Sequence, residues 1–342
     1  MKIKFELNIY VYKNSMEKTP KRADQNLNSK DDRKIITQHE VIKPVGLREF
    51  MQEMFDNIKQ FRSYNTMKNY ETAIRSFLSF SGKQEIPIND ITAERIAAWQ
   101  MWLRQKGVCL NTISCYIRSL RSIYNYAVEK KAVIQQHPFD KAFTGKTKTE
   151  SRSIEIEDIK QLKDLQLRKG TFLELTRDMF LFCFYALGMP FIDLVFLRKS
   201  QLSGDTLTYY RQKTGQHVNV CIEPCMREII DKYATAGSDY VFPLITSTDK
   251  DIARKEYLRL LGRYNRALKR LAGKAGVKSR LTSYMARHTW ASMAFQRNVD
   301  LPVISKALGH TNTHTTLLYI RGINDERLHI ANKQLLHEME ME

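Results

Sequence analysis

The sequence predicts a mainly α-helical protein with one small β-hairpin sheet, an α+β fold in two domains. Apolar residues recur every three or four positions through most of residues 46–143 and 154–342, which is the period of an amphipathic helix. Two short runs of β-type residues, 206–211 and 218–222, flank a turn that contains Gly215 and indicate a hairpin. A chain of 342 residues that is 43% hydrophobic is large enough for two domains, each with its own core.

Four amphipathic helices are expected in the first domain, residues 46–143, where short loops join them into a bundle. Thr92 is the expected N-cap of the third helix, in the turn that runs through Arg95. The residues expected to face the core are Leu47, Phe50, Met51, Met54 and Ile58 in the first helix, Tyr70, Ile74, Phe77 and Leu78 in the second, Ile96, Trp99 and Leu103 in the third, and Ile113, Tyr116, Ile117, Leu120, Ile123, Tyr124 and Ala127 in the fourth.

The other boundaries follow from changes in composition. Residues 2–12 alternate like a half-buried strand and residues 13–40 are polar, so we interpret residues 1–45 as an N-terminal strand and a flexible arm or linker. Residues 144–153 lack an apolar anchor and are interpreted as the interdomain linker. The second domain, 154–342, is expected to contain an apolar helix over 172–185, a short strand ending at Phe242–Pro243, a basic helix over 252–276, a helix over 300–308 and a C-terminal amphipathic helix.

The charge is strongly basic and unevenly distributed. Lys and Arg number 55 against 37 Asp and Glu, a net charge of +18, and half of that excess lies in residues 251–300. Such a concentration is typical of a nucleic-acid-binding surface, and a solvated basic face is the alternative. The five cysteines form neither a disulfide pattern nor a zinc ligand set, and no apolar run reaches the ~18 residues of a membrane span. We therefore expect a cytoplasmic protein with no membrane partner.

Three side chains near the C-terminal end have the chemistry to act on a phosphodiester. Arg287 offers a planar fork that can hold two phosphate oxygens, and His310 can donate to the same phosphate or move a proton. The phenol of Tyr319 becomes a nucleophile where nearby cations or a base favour its phenolate form. On pattern alone, residues 285–295 also fit an amphipathic core helix that carries an incidental Arg287–His288 pair.

The order of these residues resembles a known signature. The runs are ARHTWA at 286–291, LGH at 308–310, and TT at 315–316 before Tyr319. Together they are similar to the second signature box of the tyrosine recombinases, the phage integrase family. The helical bundle, with SYNT at 63–66 and LNTI at 110–113, is similar to the family's SAM-like core-binding domain. The resemblance implies a core-binding domain and a catalytic domain of a site-specific integrase or invertase, of the type found in Bacteroidetes mobile elements.

The family implies roles for particular residues. Tyr319 would be the nucleophile of a covalent 3′-phosphotyrosyl intermediate, Arg287 the phosphate clamp and His310 the second phosphate ligand, with His288 as an additional neutralising group. Lys213, at the tip of the predicted hairpin, would protonate the departing 5′ oxygen. Tyr284 occupies the place of a family histidine, and it can donate a hydrogen bond but accepts protons poorly.

The first catalytic arginine of the family is missing. It is expected either directly after the Gly-aliphatic pair or just before the glycine, and those places hold Pro190 and Leu187. Removing one preorganised donor typically costs ~10²–10³ in rate, so either the enzyme is slow or another cation takes that place. Arg177 and Arg198 are the candidates. We favour Arg177, because a cation inside so apolar a helix is otherwise costly, and a salt bridge with Asp178 is its alternative.

Double-stranded DNA is the expected partner, held between the two domains with the linker crossing it. The resemblance also implies a homotetramer on DNA, with a monomer in solution and a C-terminal helix that docks on a neighbouring protomer; packing of that helix on its own domain is the alternative. The residues expected to contact DNA are Lys68, Arg75, Arg118, Arg121, Lys146, Lys148, Arg263, Arg266, Lys269 and Arg270.

No cofactor or metal is expected. His310 and His314 have the spacing of metal ligands on a helix, yet Gly309 and Asn312 indicate a loop and no third ligand is evident. Two functions compete with recombination: a DNA-binding protein of the same fold that has lost catalysis, and a topoisomerase-like enzyme that nicks and reseals. Integration, excision and inversion share one chemistry, so the sequence does not separate them.

Overall fold

A computed structural model describes residues 46–58, 64–147, 153–317, 332–333 and 336. The chain divides into two compact units between Thr147 and Lys148. The predicted N-terminal strand and arm, as well as Tyr319, lie outside the described residues. The predicted C-terminal helix is described only at residues 332, 333 and 336, which are helical.

The first unit contains the four predicted helices. Thr92 caps the third helix as expected, since its hydroxyl accepts from the amide of Arg95 at 3.3 Å. A short 3₁₀ helix, Ile88–Asp90, precedes it. The helices are α1 (Leu47–Ile58), α2 (Tyr64–Ser81), α3 (Ala93–Gln105) and α4 (Leu110–Glu129).

The core of this unit forms around α4, which packs against the other three helices. Trp99 of α3 is its largest fully buried side chain. The indole meets the Phe77 ring edge-on at 5.0 Å between centroids and stacks on Tyr116 at 6.4 Å. Aromatic contacts of this kind add to the free energy gained from burying the ring.

Part of the sequence assigned to the linker is bonded to α4. The hydroxyl of Ser114 donates to the Gly145 carbonyl at 2.7 Å. The side chain of Asn111 bonds the backbone of Thr147 in both directions, at 3.0 Å and 2.8 Å. Residues 144–147 are thereby fixed to the first unit.

The second unit is mainly helical around a small antiparallel sheet with the order β1-β2-β3. Leu207 of β2 pairs with Val220 of β3, and Tyr209 pairs with Val218, so four apolar side chains point into the core from one face. The strands are β1 (Leu202–Ser203), β2 (Thr206–Tyr210) and β3 (His217–Cys221). The helices are α5 (Ile156–Asp164), α6 (Phe172–Tyr185), α7 (Phe191–Val195), α8 (Pro224–Tyr233), α9 (Lys250–Lys274), α10 (Met285–Gln296), α11 (Leu301–Ala307) and α12 (His314–Leu317).

The predicted strand ending at Phe242–Pro243 was wrong. Tyr240 forms one isolated bridge with Arg198. Pairing extends no farther because residues 199–201 turn into a 3₁₀ helix and Pro243 has no amide hydrogen to donate.

Helix α6 is the central element of the second unit. Met179, Phe180 and Phe182 are buried, and the helix packs against α5, α8, α9 and α10. Nearby, Phe191 of α7 stacks on Tyr264 of α9 with ring centroids 3.9 Å apart. No helix in the described part of the chain is long and apolar enough to cross a membrane.

Replacing Trp99 by alanine should destabilise the first unit by about 3–5 kcal/mol, because a large buried ring is lost and a cavity remains. Met101→Ala on the same helix is the control, since Met101 is 62% exposed and surface changes usually stay within about 0.5 kcal/mol. Urea unfolding monitored by circular dichroism measures both. Equal effects of the two substitutions would contradict the assigned core.

Candidate active site

Arg287 is the buried centre of the candidate site. It lies in the first turn of α10 and is only 1% exposed. Its Nη1 donates to the carbonyl of Gly188 at 3.1 Å, and its Nη2 donates to the carbonyl of Leu308. The guanidinium thus links the turn after α6 to the end of α11.

Gly188 makes the approach of that turn possible. A Cβ added to it would lie 2.9 Å from the Cα of Arg287, closer than such atoms come in proteins. Gly188 also has a φ of 71°, in the left-handed region that favours glycine, and the preceding Leu187 has a φ of 56°. The family's first arginine was expected at position 187 or 190. Leu187 lies in this tight turn against the backbone of Arg287, and Pro190 lies at the start of α7.

His310 lies beside Arg287. Its Nε2 is 2.9 Å from Arg287 Nη2, and its Nδ1 is 2.9 Å from the hydroxyl of Thr316, a buried residue of α12. An arginine nitrogen only donates hydrogen bonds, so Nε2 is the acceptor and the ring proton is on Nδ1, pointing to Thr316.

Burial and neighbouring cations keep His310 neutral. Loss of hydration and the positive charges of Arg287, Arg211 and Lys213 together lower the pKa of His310 to about 4. A neutral ring at pH 7 agrees with the tautomer that the hydrogen bonds require.

The hairpin between β2 and β3 is attached to the loop that carries Gly309 and His310. The hydroxyl of Thr214 donates to the carbonyl of Gly309 at 3.1 Å. The neighbouring Lys213 is exposed at the tip, and its charge reaches His310. The predicted general acid therefore stands on the solvent side of the cluster.

The sequence interpretation missed Arg211, which lies in this cluster. Arg211 follows β2 directly and is 4% exposed. Its Nε donates to the Oδ2 of Asp193 at 3.1 Å, and its Nη1 donates to the Leu308 carbonyl that Arg287 also uses. Strand alternation was the available signal, because position 211 shares a face with the buried Leu207 and Tyr209.

Asp193 is the counter-charge of Arg211. This carboxylate of α7 is 5% exposed, and its Oδ1 accepts from the amide of Gln212 at 3.0 Å. Burial raises the pKa of Asp193, while the Gln212 amide and the charges of Arg211 and Arg287 oppose that rise. The carboxylate thus holds both the guanidinium of Arg211 and the start of the hairpin turn.

Comparison with known proteins identifies the fold and the family. Residues 46–147 match the phage integrase SAM-like domain, and residues 153–325, half of the chain, match the phage integrase family. The chain belongs to the phage integrase family. It is therefore a tyrosine recombinase, a site-specific DNA recombinase.

Known proteins are similar in sequence or in fold over most of the length of the recombinase. A tyrosine recombinase of Thermosipho africanus is 24% identical over 285 residues, which cover 79% of this chain and 93% of the relative. A lambda integrase (75–356) dimer bound to a COC′ core site has a TM-score of 0.62 at 16% identity, with 82% of this chain and 98% of that chain covered. A lambda integrase tetramer bound to a Holliday junction has a TM-score of 0.60 at 16% identity, with coverages of 82% and 78%. The two structures share the fold of the recombinase.

Arg177 and Arg198, the two candidates for the missing arginine, contact groups outside the Arg287 cluster. Arg177 Nε donates to Asp178 at 2.8 Å, and its Nη1 donates to the Leu165 carbonyl at 2.8 Å. The guanidinium of Arg198 lies over the Tyr240 ring, with a nitrogen 3.9 Å from Asp239. The structure favours the ion-pair alternative for Arg177, because Asp178 satisfies the charge that made it a candidate.

The remaining predicted residues are two further catalytic candidates, Tyr284 and His288, and the expected DNA contacts. The rings of Tyr284 and His288 meet edge-on, 5.5 Å apart, at the start of α10. The expected DNA contacts are all exposed where described, and Arg263 places its guanidinium over the Phe172 ring at 3.7 Å. Lys148 lies outside the described residues.

Metal ligation does not suit His310 in the observed arrangement. Both ring nitrogens of His310 are within 2.9 Å of Arg287 or Thr316. In the described segments, no group of three His, Cys, Asp or Glu side chains is placed to hold a metal ion.

Gly188→Ala should damage both folding and activity. The left-handed φ costs an L-residue about 1–2 kcal/mol, and the Cβ also meets the backbone of Arg287. Gly204→Ala is the matched control, because Gly204 has a φ of 56° and open space around its Cβ position. We expect both variants to lose stability in urea unfolding and only Gly188→Ala to lose DNA cleavage. Identical behaviour of the two variants would contradict the close approach.

His310 should make the stability of the recombinase depend on pH. Its folded-state pKa of about 4 lies below the ordinary 6.5, so the unfolded chain binds more protons between these values. The contribution is fully present above about pH 6.5 and is lost as the pH falls towards 4. The melting temperature of the wild type should thus fall more steeply over this range than that of His310→Gln. The exposed His137 gives the control His137→Gln, which should follow the wild type.

Proposed function

We propose that the recombinase cuts and rejoins double-stranded DNA through a 3′-phosphotyrosyl intermediate on Tyr319. The observation that carries the proposal is the contact of the buried Arg287 with His310, the two residues that the family signature assigns to the scissile phosphate. Arg287 would hold the non-bridging oxygens, whose negative charge grows as the phenol oxygen attacks phosphorus.

Chain connectivity supports Tyr319 as the nucleophile. Thr316 is hydrogen-bonded to His310, and Tyr319 follows three residues later. Three residues span at most about 11 Å even when fully extended. This short connection would allow Tyr319 to serve its own site or that of a neighbouring protomer.

His310 fits the role of second phosphate ligand. In the structure its Nε2 accepts from Arg287 and its Nδ1 carries the ring proton. A bound phosphate that takes the Arg287 donor would free Nε2, and the negative charge of that phosphate would raise the pKa of the ring. Nε2 would then take up the proton that Tyr319 loses and donate it to a phosphate oxygen. Tyr284, which replaces a family histidine, is a poor proton acceptor.

Lys213 fits the role of general acid. The attack leaves the 3′ phosphate joined to Tyr319 and releases the 5′ oxygen, which needs a proton as the bond breaks. The exposed ammonium of Lys213, on a hairpin attached to the Gly309 loop, would supply it. Attack by the 5′-hydroxyl of a partner strand reverses the step. The phosphotyrosine conserves the bond energy, so the reaction needs no nucleotide cofactor.

The DNA partner and the assembly are inferred from charge and from relatives. The exposed cations of α2, α4 and α9 would contact the phosphate backbone. The lambda integrase structures contain a dimer on a core site and a tetramer on a Holliday junction, and we propose a tetramer on DNA for this chain as well. The strand exchange would serve integration, excision or inversion, according to how the sites are arranged.

Tyr319→Phe should abolish the covalent adduct and keep DNA binding. The substrate is a nicked duplex that carries a site selected from a random pool by binding, so that the cleaved fragment is lost and the adduct accumulates. Tyr240→Phe, which removes a hydroxyl from another ring of the same unit, should react like the wild type. Denaturing gels measure the adduct and gel shifts measure binding.

An adduct that persists in Tyr319→Phe would contradict the assigned nucleophile. Equal binding by wild type and Tyr319→Phe with no adduct from either would favour a DNA-binding protein without catalysis. Relaxation of supercoiled DNA that lacks the selected site would favour a topoisomerase-like activity.

A further inference from the structure

We propose that Arg211 supplies the second guanidinium for the scissile phosphate, in place of the arginine that is absent at positions 187 and 190. This inference rests on the proposed function. Arg211 would be a catalytic residue, and Asp193 would be the residue that positions it.

The first argument is convergence. Arg211 comes from the end of β2 and Arg287 from the start of α10, yet both donate to the carbonyl oxygen of Leu308. Two nitrogens that share one oxygen acceptor lie within about 6 Å of each other, given ordinary hydrogen-bond lengths. One phosphate can bridge that distance through two of its oxygens.

The second argument is the fixed orientation of Arg211. A guanidinium has five N–H donors, and the contacts with Asp193 and Leu308 use two of them. Asp193 takes the Nε side, which leaves donors of the Nη groups beside Arg287. The carboxylate also bonds the amide of Gln212, so it aligns Arg211 with the turn that carries Lys213.

The third argument is that the backbone makes room for this side chain. A Cβ on Gly309 would lie 2.8 Å from the Cγ of Arg211, and Gly309 has a φ of 60°. Gly188 makes the same kind of room for Arg287. Each arginine therefore passes one glycine, and Gly309 directly follows Leu308, whose carbonyl the two arginines share.

The fourth argument is electrostatic. The charge of Arg211 is among the causes that lower the pKa of His310, together with Arg287 and Lys213. Arg211 therefore acts on the same small region as the other proposed catalytic groups. Arg177 and Arg198, by contrast, are bonded to Asp178 and placed near Asp239.

The test compares two substrates. In one, the scissile phosphodiester is intact; in the other, a methylphosphonate replaces one charged non-bridging oxygen by a methyl group. Tyr319 attacks either phosphorus centre and releases the same 5′-hydroxyl. If Arg211 neutralises that oxygen, Arg211→Gln should form adduct about 10²–10³-fold more slowly than the wild type on the phosphodiester. On the methylphosphonate the two proteins should react at similar rates, because the charge that Arg211 serves is gone.

A second variant guards against loss of folding. Arg211→Gln leaves Asp193 buried without its partner, whereas the double variant Asp193→Asn/Arg211→Gln buries two neutral amides. The double variant should keep the melting temperature close to that of the wild type and show the same dependence on substrate. Arg198→Gln, an exposed cation of the same unit, is the control and should react like the wild type on both substrates.

Two results would overturn the role of Arg211 alone. Adduct formation by wild type together with unchanged rates in both Arg211 variants would show that Arg211 does not act on the phosphate. An equal loss on both substrates would show a structural role of the Arg211–Asp193 pair. Absence of any adduct from the wild type would overturn the proposed function and this inference together.

Discussion

The site depends on the carbonyl oxygen of Leu308, which accepts hydrogen bonds from two buried guanidinium groups. Like charges repel, and removing them from water is costly, so such an arrangement persists only where surrounding groups hold it. Asp193 compensates Arg211, and the Gly188 carbonyl and the His310 ring accept from Arg287. Five segments of the second unit, α7, the hairpin, α10, the turn at Gly188 and the loop at Gly309, are fixed in position by these contacts.

The same contacts determine the protonation state of His310. Hydrogen bonds with Arg287 and Thr316 select one tautomer, and burial together with nearby cations favours the neutral ring. A histidine in water would be partly protonated near neutral pH. The charge and the tautomer of His310 therefore depend on groups from three separate parts of the sequence, namely Arg211, Arg287 and Thr316.

Much of the fold was predictable because local rules and burial agreed. Thr92 caps α3 as expected, and α6 has the predicted bounds of 172–185, because an apolar run follows a capping threonine at 171. The strand expected to end at Phe242–Pro243 did not form, since a strand needs a partner and the residues opposite Tyr240 turn away after one bridge. Periodicity reports which residues suit a strand, but it carries no information about the pairing.

The sequence alone determined the helical bundle, the hairpin and the family, and it marked Arg287, His310 and Lys213 as candidates, because spacing and residue type carry that information locally. Only the tertiary structure decided that Arg177 belongs to an ion pair and that Arg211 lies beside Arg287. Arg211 and Leu308 are 97 residues apart, and no local pattern encodes a contact across that distance. Packing of α7, the hairpin and the Gly309 loop on one another brings the two arginines together, since the charge of each must be satisfied where the chain buries it.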